Sequence, residues 1–180
     1  MSLSVADLDK YLATGAAPAG SLPNLRTFYS PIDQVHQVLV DVITAATHSI
    51  VVAMYGYDDD QLAQLLDTAL QNPRMFVQIS LDKSQAGGVH EAALLAKYRH
   101  DMDGNSVAIG TSEKGAIMHR KMVIVDGLWR ISGSTNWSDA GETKQDNELT
   151  VLLDATECTR ARTILDIEHT KMLKALKAAA

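Results

Sequence analysis

Met118-His119-Arg120-Lys121-Met122-Val123-Ile124-Val125-Asp126-Gly127-Leu128-Trp129-Arg130-Ile131-Ser132 is the stretch on which the fold turns. Asp126-Gly127 favours the left-handed backbone of a tight turn and joins two apolar runs. A hairpin of two central strands, Met118–Val125 and Leu128–Ser132, is therefore predicted. His119 and Lys121 stand two apart on the first strand, so they share one face, their side chains rooted about 7 Å apart. Val123 and Val125 carry that face into the core, while Arg120 points the other way, toward a surface ion pair.

Working outward, Arg26–Tyr29 reads as a short strand, and Ser30-Pro31 as the cap and first turn of a helix. Ile32, Val35, Val38, Leu39, Val42, Ile43 and Ala46 follow at helical spacing. Ser49–Tyr55 is an almost unbroken apolar run, typical of a strand covered on both faces. Asp58 to Asp60 cap a second helix, with Leu62, Leu65, Leu66 and Leu70 on one face and Asn72-Pro73 at its end. Strand Arg74–Leu81, a helix over 89–98 and strand Ser106–Ile109 precede the hairpin. Strand Glu148–Leu153 and a helix from Ala155 to about Lys177 follow it. The order predicts an α/β fold, a mixed sheet flanked by helices in an α-β-α sandwich. Residues 1–24 read as a weakly structured N-terminal arm, with a short helix over Val5–Leu12, and residues 25–180 as one domain. No internal repeat is visible, so the His119/Lys121 stretch occurs once.

Composition narrows the partners. The 180 residues carry a formal net charge of −6 and 5% aromatics. A protein gripping duplex through its overall field would be basic, and a single-strand platform would be richer in rings. A local cationic pocket remains compatible with a nucleic-acid substrate. No apolar run is long enough to span a bilayer. Met1–Leu12 lacks the basic-then-apolar order of a signal peptide, so location stays open, export included. Cys158 has no internal partner and reads as a small residue on a helix.

A histidine beside an obligate cation at the end of a buried strand is costly unless an anion comes to it. Phosphate suits both: lysine offers three donors and a full charge, and histidine is a nucleophile or proton carrier near neutral pH. The second strand runs into Gly133-Ser134-Thr135-Asn136, and hairpin pairing returns that end beside His119. A hydroxyl and an amide there would donate to non-bridging phosphate oxygens.

H-x-K, four residues, Asp126, six residues, then Gly133-Ser134-Thr135-Asn136 resembles the signature of the phospholipase D superfamily, every signature position filled. The continuation Gly141-Glu142-Thr143-Lys144-Gln145-Asp146-Asn147-Glu148 resembles the bacterial endonuclease branch that carries a single motif. The resemblance implies a phospholipase D-like phosphodiesterase domain over residues 25–180. His119 would be the nucleophile, forming a phosphohistidine, and Lys121, Ser134 and Asn136 the phosphate holders. Glu148 would be the acidic residue orienting the histidine ring. It implies no metal and no cofactor, lysine supplying the positive charge. It also implies a homodimer whose two-fold axis passes through the active site, because two histidines are needed and each chain has one motif.

Nucleic acid is the substrate this resemblance favours. Phospholipid or cardiolipin is the alternative, and a catalytically inactive dimeric binding module the third reading. Asp126 and Gly133 read as structural members of the motif. Trp129 reads as packing, and Trp137, next to Asn136, as core or a surface on which substrate stacks. His36 and His48 read as ordinary packing or surface residues, and His90-Glu91 as no zinc motif. Gly87-Gly88 reads as a flexible joint, and Lys83, Lys97 and Lys114 as solvated surface.

Overall fold

Runs rich in valine and isoleucine need cover on both faces, and the computed structural model supplies it. It describes residues 3–85, 93 and 105–179. Gly87-Gly88, His90, Glu91, Lys97 and, but for Ala93, the helix expected over 89–98 lie outside the described residues. In chain order come β1 (Leu25–Ser30), α1 (Val35–Thr44), β2 (Ser49–Met54), β3 (Tyr57–Asp58), α2 (Asp60–Gln71) and β4 (Phe76–Asp82). Then follow β5 (Ser106–Gly110), β6 (Lys121–Val125), β7 (Trp129–Gly133), β8 (Trp137–Ser138), α3 (Asp139–Thr143), β9 (Asn147–Leu153) and α4 (Ala155–Ala179).

Seven strands form one mixed sheet in the order β1-β9-β7-β6-β2-β4-β5. β2, β4 and β5 run parallel, and the pairs joining β2, β6, β7, β9 and β1 are antiparallel. The hairpin strands β6 and β7 sit in the middle, joined through Asp126 (φ 53°) and Gly127 (φ 65°) as the Asp-Gly pair requires. One face packs Val52, Ile79, Val123 and Ile131 against α1 and α2 residues such as Val38, Leu39, Leu62 and Leu66. The other packs Val51, Ala53, Ala108 and Ile124 against Cys158, Leu165 and Met172 of α4. Cys158 is fully buried, and burial pushes its thiol up to about 11, in keeping with an inert packing residue.

Two expectations shift. Helix α1 begins at Val35, not at Pro31, and Gln34 at its cap makes no side-chain bond. Ser30 is used elsewhere: its hydroxyl is within bonding distance of the carbonyls of Gly141 (3.1 Å) and Gln145 (2.8 Å). Asp33 turns back instead, accepting the N–H groups of Tyr29 and Ala13, each at 2.8 Å. The start of the arm is built into the domain. A 3-10 helix over Val5–Tyr11 carries a Ser4/Asp7 capping box and buries Val5 and Leu8 in the larger core. Asp9 of that helix pairs with Arg26 at 2.6 Å.

Candidate active site

β6 enters the sheet at Lys121, and the two residues before it lie along the end of β2, where Tyr55 N–H donates to the Arg120 carbonyl at 2.8 Å. That places Tyr55 beside both signature residues. Its ring meets the His119 ring edge-on at 4.7 Å, and the Lys121 ammonium sits 4.8 Å from the Tyr55 centroid. The Lys121 side chain folds back so that Nζ donates to the His119 carbonyl at 3.2 Å. Lys121 is buried, at 7% exposure, with no carboxylate paired to it among the described residues. Desolvation accordingly pushes its pKa down. His119, by contrast, is exposed.

The other side of the site is the turn after β7. Gly133 pairs with Leu149, and a Cβ on Gly133 would collide with the Glu148 carbonyl oxygen, so β9 approaches too closely for any side chain there. Ser134 N–H donates to that carbonyl at 3.1 Å, and Thr135 Oγ1 donates to it at 2.9 Å. Asn136 packs against Gly56, where a Cβ would stand 2.9 Å from its Cγ. Its Oδ1 is buried without a hydrogen-bond partner among the described residues. The Ser134 hydroxyl donates to Asn147 Oδ1 at 2.8 Å and accepts Glu148 N–H at 3.1 Å.

Glu148 does not meet the expectation that it orients His119. Leu149 pairs with Gly133 and points into the core, so Glu148, one residue earlier, turns to the other face of the sheet, opposite Tyr29. It is exposed, and no hydrogen bond joins it to His119 among the described residues. Asn147 instead points the way Leu149 does. It is held by Ser134 and by its own Nδ2, which donates to the Gly141 carbonyl at 3.0 Å.

Asp126 lies at the far end of β6 from His119. Its carboxylate accepts the N–H groups of Thr47, His48 and Ser49 and the Thr47 hydroxyl, at 2.7 to 2.8 Å. Burial opposes its charge, but these four donors win and hold its pKa below the usual carboxylate value. Trp137 is no stacking platform: it is 1% exposed and packs 6.1 Å from Tyr57, where β8 pairs with β3. Trp129 is core, and Arg120 pairs with Glu168 at 2.6 Å on the α4 side.

Tyr55 and Asp82 are partners that sequence reasoning missed. Fully buried Asp82 accepts the Met118 N–H at 2.5 Å and the Ser84 N–H and hydroxyl at 2.8 and 2.6 Å, fixing the chain just before His119. The acidic end of β4 and the tyrosine after β2 were visible in the sequence as residues, but nothing local tied either to the hairpin.

A buried ammonium beside an exposed imidazole, at the end of the central hairpin of a mixed sheet, suits a site that handles phosphoryl groups. The chain belongs to the phospholipase D-like family: the family model described as "Cardiolipin synthase, PLD-like domain" matches residues 39–166. Curated relatives include a mitochondrial cardiolipin hydrolase of Chlamydomonas reinhardtii, 26% identical over 64% of this chain and 48% of that protein. A phospholipase D of Rickettsia bellii is 26% identical over 75% of this chain and 64% of its own length. The chain thus spans about half of the first relative and under two thirds of the second. Among solved structures, the phospholipase D family member Nuc of Salmonella typhimurium superposes with a TM-score of 0.68 at 21% identity, covering 80% of this chain and 92% of that one. NucT of Helicobacter pylori gives 0.66 at 21% identity, covering 83% and 95%. Phosphatidylserine synthase of Haemophilus influenzae gives 0.65 at 14% identity, covering 89% and 43%. These likenesses establish the shared fold.

Proposed function

We propose that the protein is a metal-independent phosphodiesterase that cleaves nucleic acid through a phosphohistidine on His119, in an active site shared by two copies of the chain. The observation that carries this reading is Lys121: its ammonium is buried beside His119 with no counter-ion among the described residues. A phosphodiester anion would supply the missing charge. An imidazole nitrogen of His119 would attack phosphorus while the His119 of a second copy protonates the departing oxygen. Water would then attack the phosphohistidine, the second histidine taking its proton, and release the remaining ester as a phosphomonoester. The Asn136 amide and the Lys121 ammonium would hold the non-bridging oxygens. Exposure of His119 supports the shared site, since a second imidazole could reach it. One histidine acting as base while the other acts as acid would produce a bell-shaped pH profile.

The names of the two curated relatives favour a second reading, a lipid phosphodiesterase acting on phospholipid or cardiolipin. Among the described residues no helix is long and apolar enough to cross a membrane. Cleavage of single- and double-stranded DNA and of cardiolipin vesicles, each in excess EDTA, separates the two. Cleavage of DNA that persists in EDTA and disappears in His119→Ala is the expected result. Turnover of vesicles alone would move the assignment to lipid, and activity in a strictly monomeric sample would overturn the shared site.

A further inference from the structure

Three side chains far apart in sequence converge on the α1 side of the sheet. His36 from the first turn of α1, Asp59 at the cap of α2 and Glu142 from α3 bring one ligand atom each to within 4.8 Å of the others. His36 Nδ1 lies 2.5 Å from Glu142 Oε2 and 3.3 Å from Asp59 Oδ2. Glu142 is 1% exposed, and its other oxygen, Oε1, is buried without a hydrogen-bond partner among the described residues. A carboxylate so buried and half unmet is expensive.

We propose that His36, Asp59 and Glu142 form a binding site for a divalent first-row cation, Zn2+ by ligand preference, which clamps α1, α2 and α3 together. One imidazole nitrogen and two carboxylates are a donor set that suits zinc, with a fourth position left for water. That position has room, because the cluster opens into a cavity of about 470 Å³ also lined by Asp33 and Asp139. Four carboxylates around one cavity draw cations in.

The orientation of His36 fits the role. Gln61 Oε1 stands 3.0 Å from His36 Nε2, placed to accept a hydrogen from it and so leave Nδ1, on the side of the two carboxylates, to bind a cation. Asp59 divides its oxygens likewise: Oδ1 accepts Leu62 N–H at 2.7 Å, capping α2, and Oδ2 faces His36. Metal bonds of about 2.0 to 2.2 Å place neighbouring ligand atoms roughly 3.4 Å apart, so His36 and Glu142 would separate by about 1 Å. Burial, reinforced by Asp59 and opposed by His36, pushes the Glu142 carboxyl up to about 7.

The site would steady the proposed active site from behind. Gly141, next to Glu142, packs its α-carbon against the Asn136 carbonyl, where a Cβ would stand 2.5 Å away, and its own carbonyl receives Asn147 Nδ2.

The test is calorimetric titration of chelator-stripped protein with Zn2+ alone, with the thermal midpoint read in parallel and no substrate present. The outcome is therefore independent of whether the chain cleaves DNA or lipid. One zinc per chain and a raised midpoint are expected. Glu142→Gln should weaken binding at least about 100-fold, and Gln61→Leu roughly 10-fold, while His48→Ala should leave it unchanged. Asp59→Asn keeps a capping side chain and should also bind weakly, which guards against misfolding of the Glu142 variant. Absence of binding by the wild type, or equal binding by wild type, Glu142→Gln and Asp59→Asn, would overturn the proposal.

Discussion

The carboxylate of Asp82 accepts the backbone N–H of Met118 at 2.5 Å, and Met118 is the residue immediately before His119. The end of β4 thus sets where the nucleophile candidate stands, although Asp82 and His119 lie far apart in sequence. Asp82→Ala would leave that buried N–H unmet, at about 1–3 kcal/mol of stability. Phosphodiester turnover by the folded variant should fall at least about tenfold in kcat, with KM little changed, because position and not binding is lost. An unaltered kcat would show that the loop before His119 needs no such tether.

Gly133 is dictated by its neighbour and not by its own backbone angles. Any Cβ there meets the Glu148 carbonyl, so Gly133→Ala must push β7 and β9 apart in the middle of the antiparallel half of the sheet. Denaturant unfolding should report a loss of more than about 2 kcal/mol, the range of overpacking in a tight interior. A loss under about 0.5 kcal/mol would mean that the two strands can separate freely.

Asp126 belongs to the signature yet works as a structural anchor for the loop between α1 and β2. Its folded pKa is depressed, so its contribution is present above the unfolded carboxylate value of 3.8 and is lost as pH falls through the lower folded value. Asparagine tolerates the positive φ of this turn but cannot accept four hydrogen bonds as an anion. Asp126→Asn should therefore cost about 1–3 kcal/mol near neutral pH and leave kcat within about twofold. A collapse of kcat in a stable Asp126→Asn would restore a chemical role.

His169 carries a separate pH signature. It projects from α4 onto the sheet, buried between the hydroxyls of Ser80 (2.8 Å from Nδ1) and Ser106 (2.6 Å from Nε2). Burial pushes its pKa down to about 4, Asp166 opposing and Arg162 adding to the shift. The folded protein holds it neutral while the unfolded chain protonates near 6.5, so stability should decline as pH falls from about 6.5 toward 4. The full shift corresponds to roughly 3 kcal/mol. Urea midpoints across that window should show the decline in wild type and a flatter profile in His169→Gln. Parallel profiles would assign the acid sensitivity to other groups.

What was legible in the sequence is what local chemistry decides. Asp126-Gly127 with flanking apolar runs announced the hairpin, and the two-residue spacing placed His119 and Lys121 on one side of it. Long-range partners were not legible. Ser30 looked like a helix cap because Pro31 follows it, but its hydroxyl reaches 111 residues onward to Gly141. His36 looked ordinary because Glu142 is 106 residues away. The family resemblance points to Glu148 as the acidic partner, whereas on a strand a displacement of one residue changes the face. Asn147 points to the face that Leu149 shares and is held there by Ser134 and the Gly141 carbonyl. Trp137 looked available because it follows Asn136, and only the two-residue pairing of β8 with β3 buries it.

Lys121 sets function against stability most directly. Its ammonium is buried with a tyrosine face and one carbonyl for company, and desolvation lowers its pKa. A charge placed so is worth keeping only for an anion that arrives later. Lys121→Met preserves the length and apolar stem of the side chain while removing the charge, so the variant should be more stable than wild type, by on the order of 1 kcal/mol near neutral pH. Because the folded chain releases this proton more readily than the unfolded one, wild-type stability should recover as pH rises toward 10.5, and the advantage of the methionine should shrink. Phosphodiester turnover should fall by at least about 1,000-fold in the same variant, since an electrostatic contact of about 4 kcal/mol in the transition state is lost. Thermal and urea unfolding beside a turnover assay read both effects on one sample. A destabilised Lys121→Met would show that the ammonium is well compensated in the folded chain, and the argument that it waits for a phosphate would fail with it.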